Sequence, residues 1–480
     1  MKTPCILFLT FFCFLALQAQ VDRSVMPTPG PAPEINLGEP EIFNLNNGLK
    51  VLVVENHKLP RVSIQLSIDN PPILEGDKAG VASLTGSLLG QGSKNISKVE
   101  FNEEIDFLGA RLNFSAQGAY AQSLSKYFPR MMELMADAAI YPNFTQEEFD
   151  KEKDKLLTGL KAEENVVSAI SGRVQRALAY SKNHPYGEFA TQKTVENVNL
   201  GDVESFYRDY FVPANAYLIV IGDVSLDQVK TLTNTYFTSW TKAVPPSFTY
   251  SEPKNVPNTQ INLVDMPNAV QSEITVQNLV NLKMKDDDFI AALLANQILG
   301  GGSDSRLNLN LREDKGYTYG AYTSLGNDKY APSRFIATAE VRNMVTDSSI
   351  VEILKELEAI NTQPVTEKEL KTTKALYAGS FIMALEDPQT IARYALNIEK
   401  EDLPKDFYKS FLEKLQLVSK ADVEAAAKKF FNITNARVIV VGNGSEIFSN
   451  LEKVYFQGEK LPVLMYSKTA ERIEAPNFDE

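Results

Sequence analysis

Asn215-Ala216-Tyr217-Leu218-Ile219-Val220-Ile221-Gly222 and Asn435-Ala436-Arg437-Val438-Ile439-Val440-Val441-Gly442 are two versions of one segment, offset by 220 residues. Each is a short apolar run that begins at Asn-Ala and ends at glycine, the pattern of a buried strand. A second pair lies upstream at nearly the same offset. Thr145-Gln146-Glu147-Glu148-Phe149 faces Thr366-Glu367-Lys368-Glu369-Leu370. Two matched pairs at nearly one offset imply a duplication, with two homologous domains of about 200 residues each.

Working outward, Asn47-Gly48 is a hairpin-turn dipeptide followed by an apolar strand from Leu49 to Val54. Val62, Ile64, Leu66 and Ile68 alternate along a further strand. Residues 79–90 shift to helical spacing, with Val81, Leu84 and Leu88 on one stripe, and residues 145–180 read as long helices broken near Asn165. Strands and helices mix without a regular βαβ rhythm, so the expected class is α+β. Pro245, Pro246, Pro253 and Pro257 mark an interdomain linker. The expected organisation is a first domain over 41–243, a linker over 244–260 and a second domain over 261–480.

The 480 residues include 61 acidic and 48 basic side chains, for a net charge of −13. That balance repels phosphate backbones and excludes general nucleic-acid binding. Lys2, the apolar run Cys5 to Leu17 and the small residue Ala19 read as a signal peptide over 1–19. Residues 20–40, with Pro27, Pro29, Pro31, Pro33 and Pro40, read as an extended lead-in. Removing the signal peptide removes Cys5 and Cys13, the only cysteines, so the mature chain is expected to have no disulfide and no thiolate metal site. No other stretch is long and apolar enough for a membrane span. Export is therefore expected, most simply to a periplasm.

The order of segments resembles the insulinase/pitrilysin family of zinc metallopeptidases, in its two-domain, processing-peptidase-like group. The resemblance covers about residues 41–460. It is carried by Asn47-Gly48-Leu49-Lys50-Val51, Gly109-Ala110-Arg111-Leu112-Asn113, Asn183-His184-Pro185-Tyr186-Gly187 and Leu299-Gly300-Gly301-Gly302-Ser303. The most specific match is Leu311-Arg312-Glu313-Asp314-Lys315-Gly316-Tyr317-Thr318-Tyr319. Active members of the family carry H-x-x-E-H on a helix, two imidazoles one turn apart for zinc and a Glu as general base. Here the two histidine positions fall on Ser83 and Ser87, and the base falls on Gly86. The third ligand, a downstream Glu, falls on Gly159, with Glu163 or Glu164 as the nearest substitutes. Hydroxyls are poor zinc ligands beside imidazole. The only histidines, His57 and His184, cannot rebuild a three-ligand site.

Other readings of these residues are simpler. Small residues at 83, 86 and 87 can fill a helix-packing site. Ser83 or Ser87 with His184 as base lacks a nucleophile elbow. His57 reads as a solvated loop residue, and the run around His184 as a structural turn. Asp286-Asp287-Asp288 reads as a solvated helix start.

The resemblance also implies what the second domain does. Smaller family members pair into a clam-like chamber, and an Arg and a Tyr from the second domain complete the catalytic helix of the other chain. Those positions are Arg312 and Tyr319. Gly300, Gly301 and Gly302 form either a loop along which a substrate backbone passes or a helix-ending turn. The expectation is a non-catalytic subunit that holds no cofactor of its own, zinc being in a homologous partner with an intact motif. The substrate would be an unfolded peptide. The rival expectation is a peptide-binding or scaffold protein with no peptidase partner.

Overall fold

A computed structural model describes residues 40–476 and Phe478. The segment expected to be a signal peptide, both cysteines and all of the expected lead-in except Pro40 lie outside the described residues. Two mixed sheets organise the chain. The first contains β1 (Glu41–Asn44), β2 (Lys50–Glu55), β3 (Arg61–Ile68), β4 (Arg111–Ser115), β5 (Gly118–Leu124) and β6 (Ala216–Gly222), in the order β1-β2-β6-β3-β5-β4. The second contains β7 (Gln260–Asp265), β8 (Gln271–Val280), β9 (Thr318–Leu325), β10 (Ser333–Arg342), β11 (Arg437–Gly442), β14 (Val463–Tyr466) and β15 (Arg472–Ile473). Its order is β15-β14-β7-β11-β8-β10-β9, and β12 (Tyr455–Phe456) with β13 (Glu459–Lys460) forms a small separate hairpin.

The duplication is visible in the strand order. The series β2-β6-β3-β5-β4 recurs as β7-β11-β8-β10-β9. In both, the first two strands are parallel and every later pair is antiparallel. The two quoted segments are β6 and β11, each inside its sheet. The Thr145 and Thr366 segments begin equivalent long helices, Gln146–Glu163 and Glu367–Ala384. Each threonine hydroxyl accepts the amide three residues on, from Glu148 and Glu369.

The apolar runs of β2 and β6 are continuous because both faces of the sheet are covered. Val51, Val53, Leu218 and Val220 point into the core of the first half, with Met131, Met135 and Phe237. Leu52, Val54, Ile219 and Ile221 point the other way, against Ala392, Ala395 and Leu396 of the helix Pro388–Lys400. The arrangement is reciprocal. Ile170 and Val174 of the helix Val167–Tyr180 pack on Val264, Ile439 and Val441 of the second sheet. Each half thus lends one helix to the other half's sheet, and the two do not slide freely.

Charged groups reinforce this contact. Lys50 pairs with Glu399 at 2.5 Å. Asp69 is shared between Lys329 and Lys400, and Tyr186 donates to Asp328 at 2.8 Å. Residues 241–259 contain no helix or strand. The Asn47-Gly48 turn does join β1 to β2, but Asn47 is buried. Its amide donates to the carbonyls of Phe237 and Trp240, which pins the hairpin to the end of a distant helix.

Candidate functional site

The helix Val81–Leu88 buries Val81, Leu84 and Leu88 with Phe149, Val195, Val203 and Phe206. Ser83 and Ser87 lie on its exposed side, one turn apart. Its start is unusual. The N-cap is Gly80, at φ 112° and without a side chain, and the capping role passes to Glu75. Glu75 Oε2 accepts from the amides of Gly80 at 2.8 Å and Ala82 at 3.1 Å. Glu188 holds Glu75 in turn, accepting from the amides of Glu75 and Gly76 at 2.8 and 3.0 Å. Burial pushes the Glu188 carboxyl up to about 7, against the opposing effect of those amides. Burial also raises Glu75.

Gly86 faces the turn between β4 and β5. A Cβ at this position would lie 2.7 Å from Ala116 N and 3.2 Å from Ser115 Cα. Backbone occupies the space that a general base would need. Gly159 is different. It is exposed on the helix Gln146–Glu163, and no atom lies within 4 Å of its Cβ position. Glu163 and Glu164 are engaged with the buried Arg173, Glu164 at 2.6 Å and Glu163 at 3.8 Å. Among the described residues, no group of three or more His, Cys, Asp or Glu is placed to hold a metal ion. Two solvated hydroxyls and two glycines do not fit a zinc ion at these positions.

The two histidines are elsewhere. His57 is on the exposed loop before β3 and bonds Asp223 at 2.8 Å, a partner that raises its affinity for a proton. His184 is buried in a turn closed by Gly187 and Glu188 amides bonding its carbonyl, and its ring packs between Tyr180 and Tyr250. Asp288 immediately precedes the helix Phe289–Gly300, but its side chain pairs with Lys429 and does not cap the helix.

In the second half, Arg312 sits on a π-helical stretch, Leu309–Asp314, with its side chain half exposed and, among the described residues, paired with Glu313 at 3.3 Å. π-helical turns are rare and concentrate at functional sites. Tyr319, near the start of the edge strand β9, is 90% exposed. Gly300 ends its helix against β9, where a Cβ would lie 2.6 Å from Thr323 N. A Cβ at Gly301 would meet the Gln297 side chain at 2.3 Å, and Gly302 has more room. Gly300 therefore has a packing reason of its own. It is the counterpart of Gly86, since in each half a glycine lets a helix touch the outer hairpin of its own sheet.

Sequence reasoning missed Glu75 and Glu188. An acid ahead of a helix start is a possible cap, and that was the only local signal for Glu75. Glu188 acts across 113 residues of chain.

Two family models match the chain. Residues 50–184 match the insulinase family (peptidase family M16), and residues 197–377 match the peptidase M16 inactive domain. The first stretch contains Ser83, Gly86, Ser87 and Gly159, and the second contains Arg312 and Tyr319. In Helicobacter pylori, a protein called the non-peptidase homolog YmxG is 22% identical, covering 83% of this chain and 93% of its own length. The zinc protease PqqE of the same organism is 23% identical, covering 83% and 92%. Among solved structures, a peptidase M16 inactive domain from Pseudomonas fluorescens superposes with a TM-score of 0.75 at 22% identity, covering 84% and 98%.

Proposed function

Because the chain belongs to the insulinase family of peptidases and its zinc-site positions carry no metal ligand, we propose that it is the non-catalytic subunit of a heterodimeric zinc peptidase. The partner is a homologous chain with an intact H-x-x-E-H helix, and zinc is held there. This chain contributes half of a clam-like chamber that admits unfolded peptides, and it supplies Arg312 and Tyr319 to the partner's active site. A guanidinium at Arg312 holds a substrate carbonyl, and the Tyr319 phenol donates a hydrogen bond to the oxyanion that develops on the scissile group. Gly301 and Gly302, just beyond the buried Gly300, line the path of the substrate backbone. Export to a periplasm, following the leader read at residues 1–19, completes the proposal. No described helix is long and apolar enough to cross a membrane.

The observation that carries this reading is an asymmetry. The first-half site is closed by backbone at Gly86, while Tyr319 stands 90% exposed with Arg312 seven residues away on an exposed turn. Helicobacter pylori, which has one relative called a non-peptidase homologue and another called a zinc protease, supports a division of labour.

The test is to isolate the chain from its own cells with its bound proteins and to assay the pair on unfolded peptides. The expected result is a relative with the intact motif in equal amount and no activity in this chain alone. Arg312→Ala or Tyr319→Phe should cut kcat about 100-fold or more in the pair, the scale of one lost oxyanion donor. Unchanged kcat and KM in both mutant pairs would remove the proposed roles. A second reading, a peptide-binding protein without a peptidase partner, is favoured by a cavity beside the degenerate helix.

A further inference from the structure

That cavity, of 220 Å³, opens beside the helix Val81–Leu88. Ile68, Ile73, Ala82, Ala116 and Phe206 give it apolar walls, and Glu75 also lines it. Ile68 and Phe206 are buried, whereas Ile73, Ala82 and Ala116 are partly exposed, so the cavity is reachable from solvent. Of the other polar groups at its margin, the exposed Gln117 is neutral, and Asn70 and Tyr186 are already occupied. Asn70 donates to the Tyr210 carbonyl at 2.8 Å, and Tyr186 donates to Asp328. Glu75 has no cationic partner among the described residues. Its Oε2 accepts from the amides of Gly80 and Ala82, and the Val81 amide also bonds the carboxylate, so every donor it meets is neutral backbone.

We propose that this cavity binds the N-terminal residue of a peptide, with the α-ammonium on Glu75 and an apolar side chain among Ile68, Ile73, Ala82 and Phe206. The argument is charge and shape complementarity within one small space. A carboxylate with no cation beside it calls for a cationic donor, and a charge-assisted bond of this kind is the strong type. The apolar walls a few atoms away call for a hydrocarbon group on the same ligand. An α-amino group bearing an aliphatic side chain satisfies both, whereas a lysine side chain places its charge at the far end of the hydrocarbon. Carboxylates and backbone groups that capture chain termini recur in peptide recognition. The Glu188 contacts to the amides of Glu75 and Gly76 fix the loop, so the carboxylate is held in place before the ligand arrives.

This inference does not require the proposed partner, because binding is measured on the chain alone. Its failure leaves the pairing untouched, and failure of the pairing leaves it untouched.

The experiment is calorimetric titration of the full mature chain with the tripeptide Leu-Gly-Gly, its N-acetylated form and free leucine. The expected result is saturable binding of the tripeptide that weakens at least tenfold on acetylation, with free leucine binding more weakly than the tripeptide. Glu75→Gln should also weaken it at least tenfold. Glu75 also caps a helix, so Ala82→Leu provides a second variant, which fills the cavity and should abolish binding while the Tm stays within a few degrees. Equal binding of the acetylated peptide, or no binding of the tripeptide to the wild-type chain, would overturn the proposal. Free leucine binding as tightly as the tripeptide would overturn the peptide as ligand.

Discussion

Gly86 presses on Ala116, and a Cβ at position 86 would stand 2.7 Å from the Ala116 amide nitrogen. This contact makes the loss of the general base structural as well as chemical. Gly86→Ala gains about 0.5–1 kcal/mol of helix propensity, but it must displace hairpin backbone at a cost of about 1–3 kcal/mol. The net effect is destabilisation. Gly159→Ala has no neighbour to displace and should stabilise by about 0.5–1 kcal/mol. Urea unfolding of the two variants checks the opposite signs, and two shifts of the same sign would contradict the packing argument.

Asp69 joins the halves by accepting from two ammonium groups, those of Lys329 and Lys400, all three side chains being largely buried. Asp69→Ala leaves both cations without their shared partner and should cost about 1–3 kcal/mol. A double-mutant cycle with Lys329→Met measures the coupling directly. A coupling energy near zero would show that the latch contributes nothing.

Glu188 gives the fold a pH dependence with a defined sign. Its carboxyl is raised to about 7 in the folded chain by burial, while an unfolded glutamate titrates near 4.5. Between those values the folded state binds more protons, so stability contributed by this group falls as pH rises through the window and is lost above about 7. The Tm of the wild-type chain should therefore decline more between pH 5 and 8 than that of Glu188→Ala. Identical slopes would rule out the raised Glu188 as the source.

Helix exchange between the halves predicts resistance to a chain break. Residues 241–259 carry no helix or strand, and Val244 is 81% exposed. Limited proteolysis there should give two fragments in denaturing gels that still elute together in gel filtration. Ala395→Asp, which puts a charge against Leu52, Val54, Ile219 and Ile221, should let the nicked fragments separate. Separation of nicked wild-type fragments would mean the linker, and not the exchanged helices, holds the halves.

Much of the fold was legible in the residues. The repeats at β6 and β11 and at the Thr145 and Thr366 caps are local signals, because burial on two faces demands an apolar run and a helix start demands a capping hydroxyl. The break near Asn165 falls between the helices Gln146–Glu163 and Val167–Tyr180. The candidate site was legible only in part. The positions Ser83, Gly86 and Ser87 come from the resemblance to the family's zinc motif. The reach of Glu188 to the Glu75 amide, the closure over Gly86 and the cavity beside Ala82 were not legible, since each joins segments that lie 30 to 138 residues apart in the chain.

The sequence by itself determined the duplication and the element types, because these depend on residue identity and short-range period, and it determined the absence of imidazole or carboxylate at the positions that the family resemblance assigns to zinc. Only the tertiary structure decided which face of β2 and β6 meets the other half's helix, why position 86 admits no side chain, and where the Glu75 carboxylate meets an apolar wall. Those features depend on backbone segments that approach each other across the fold, and no local pattern encodes a distance between them.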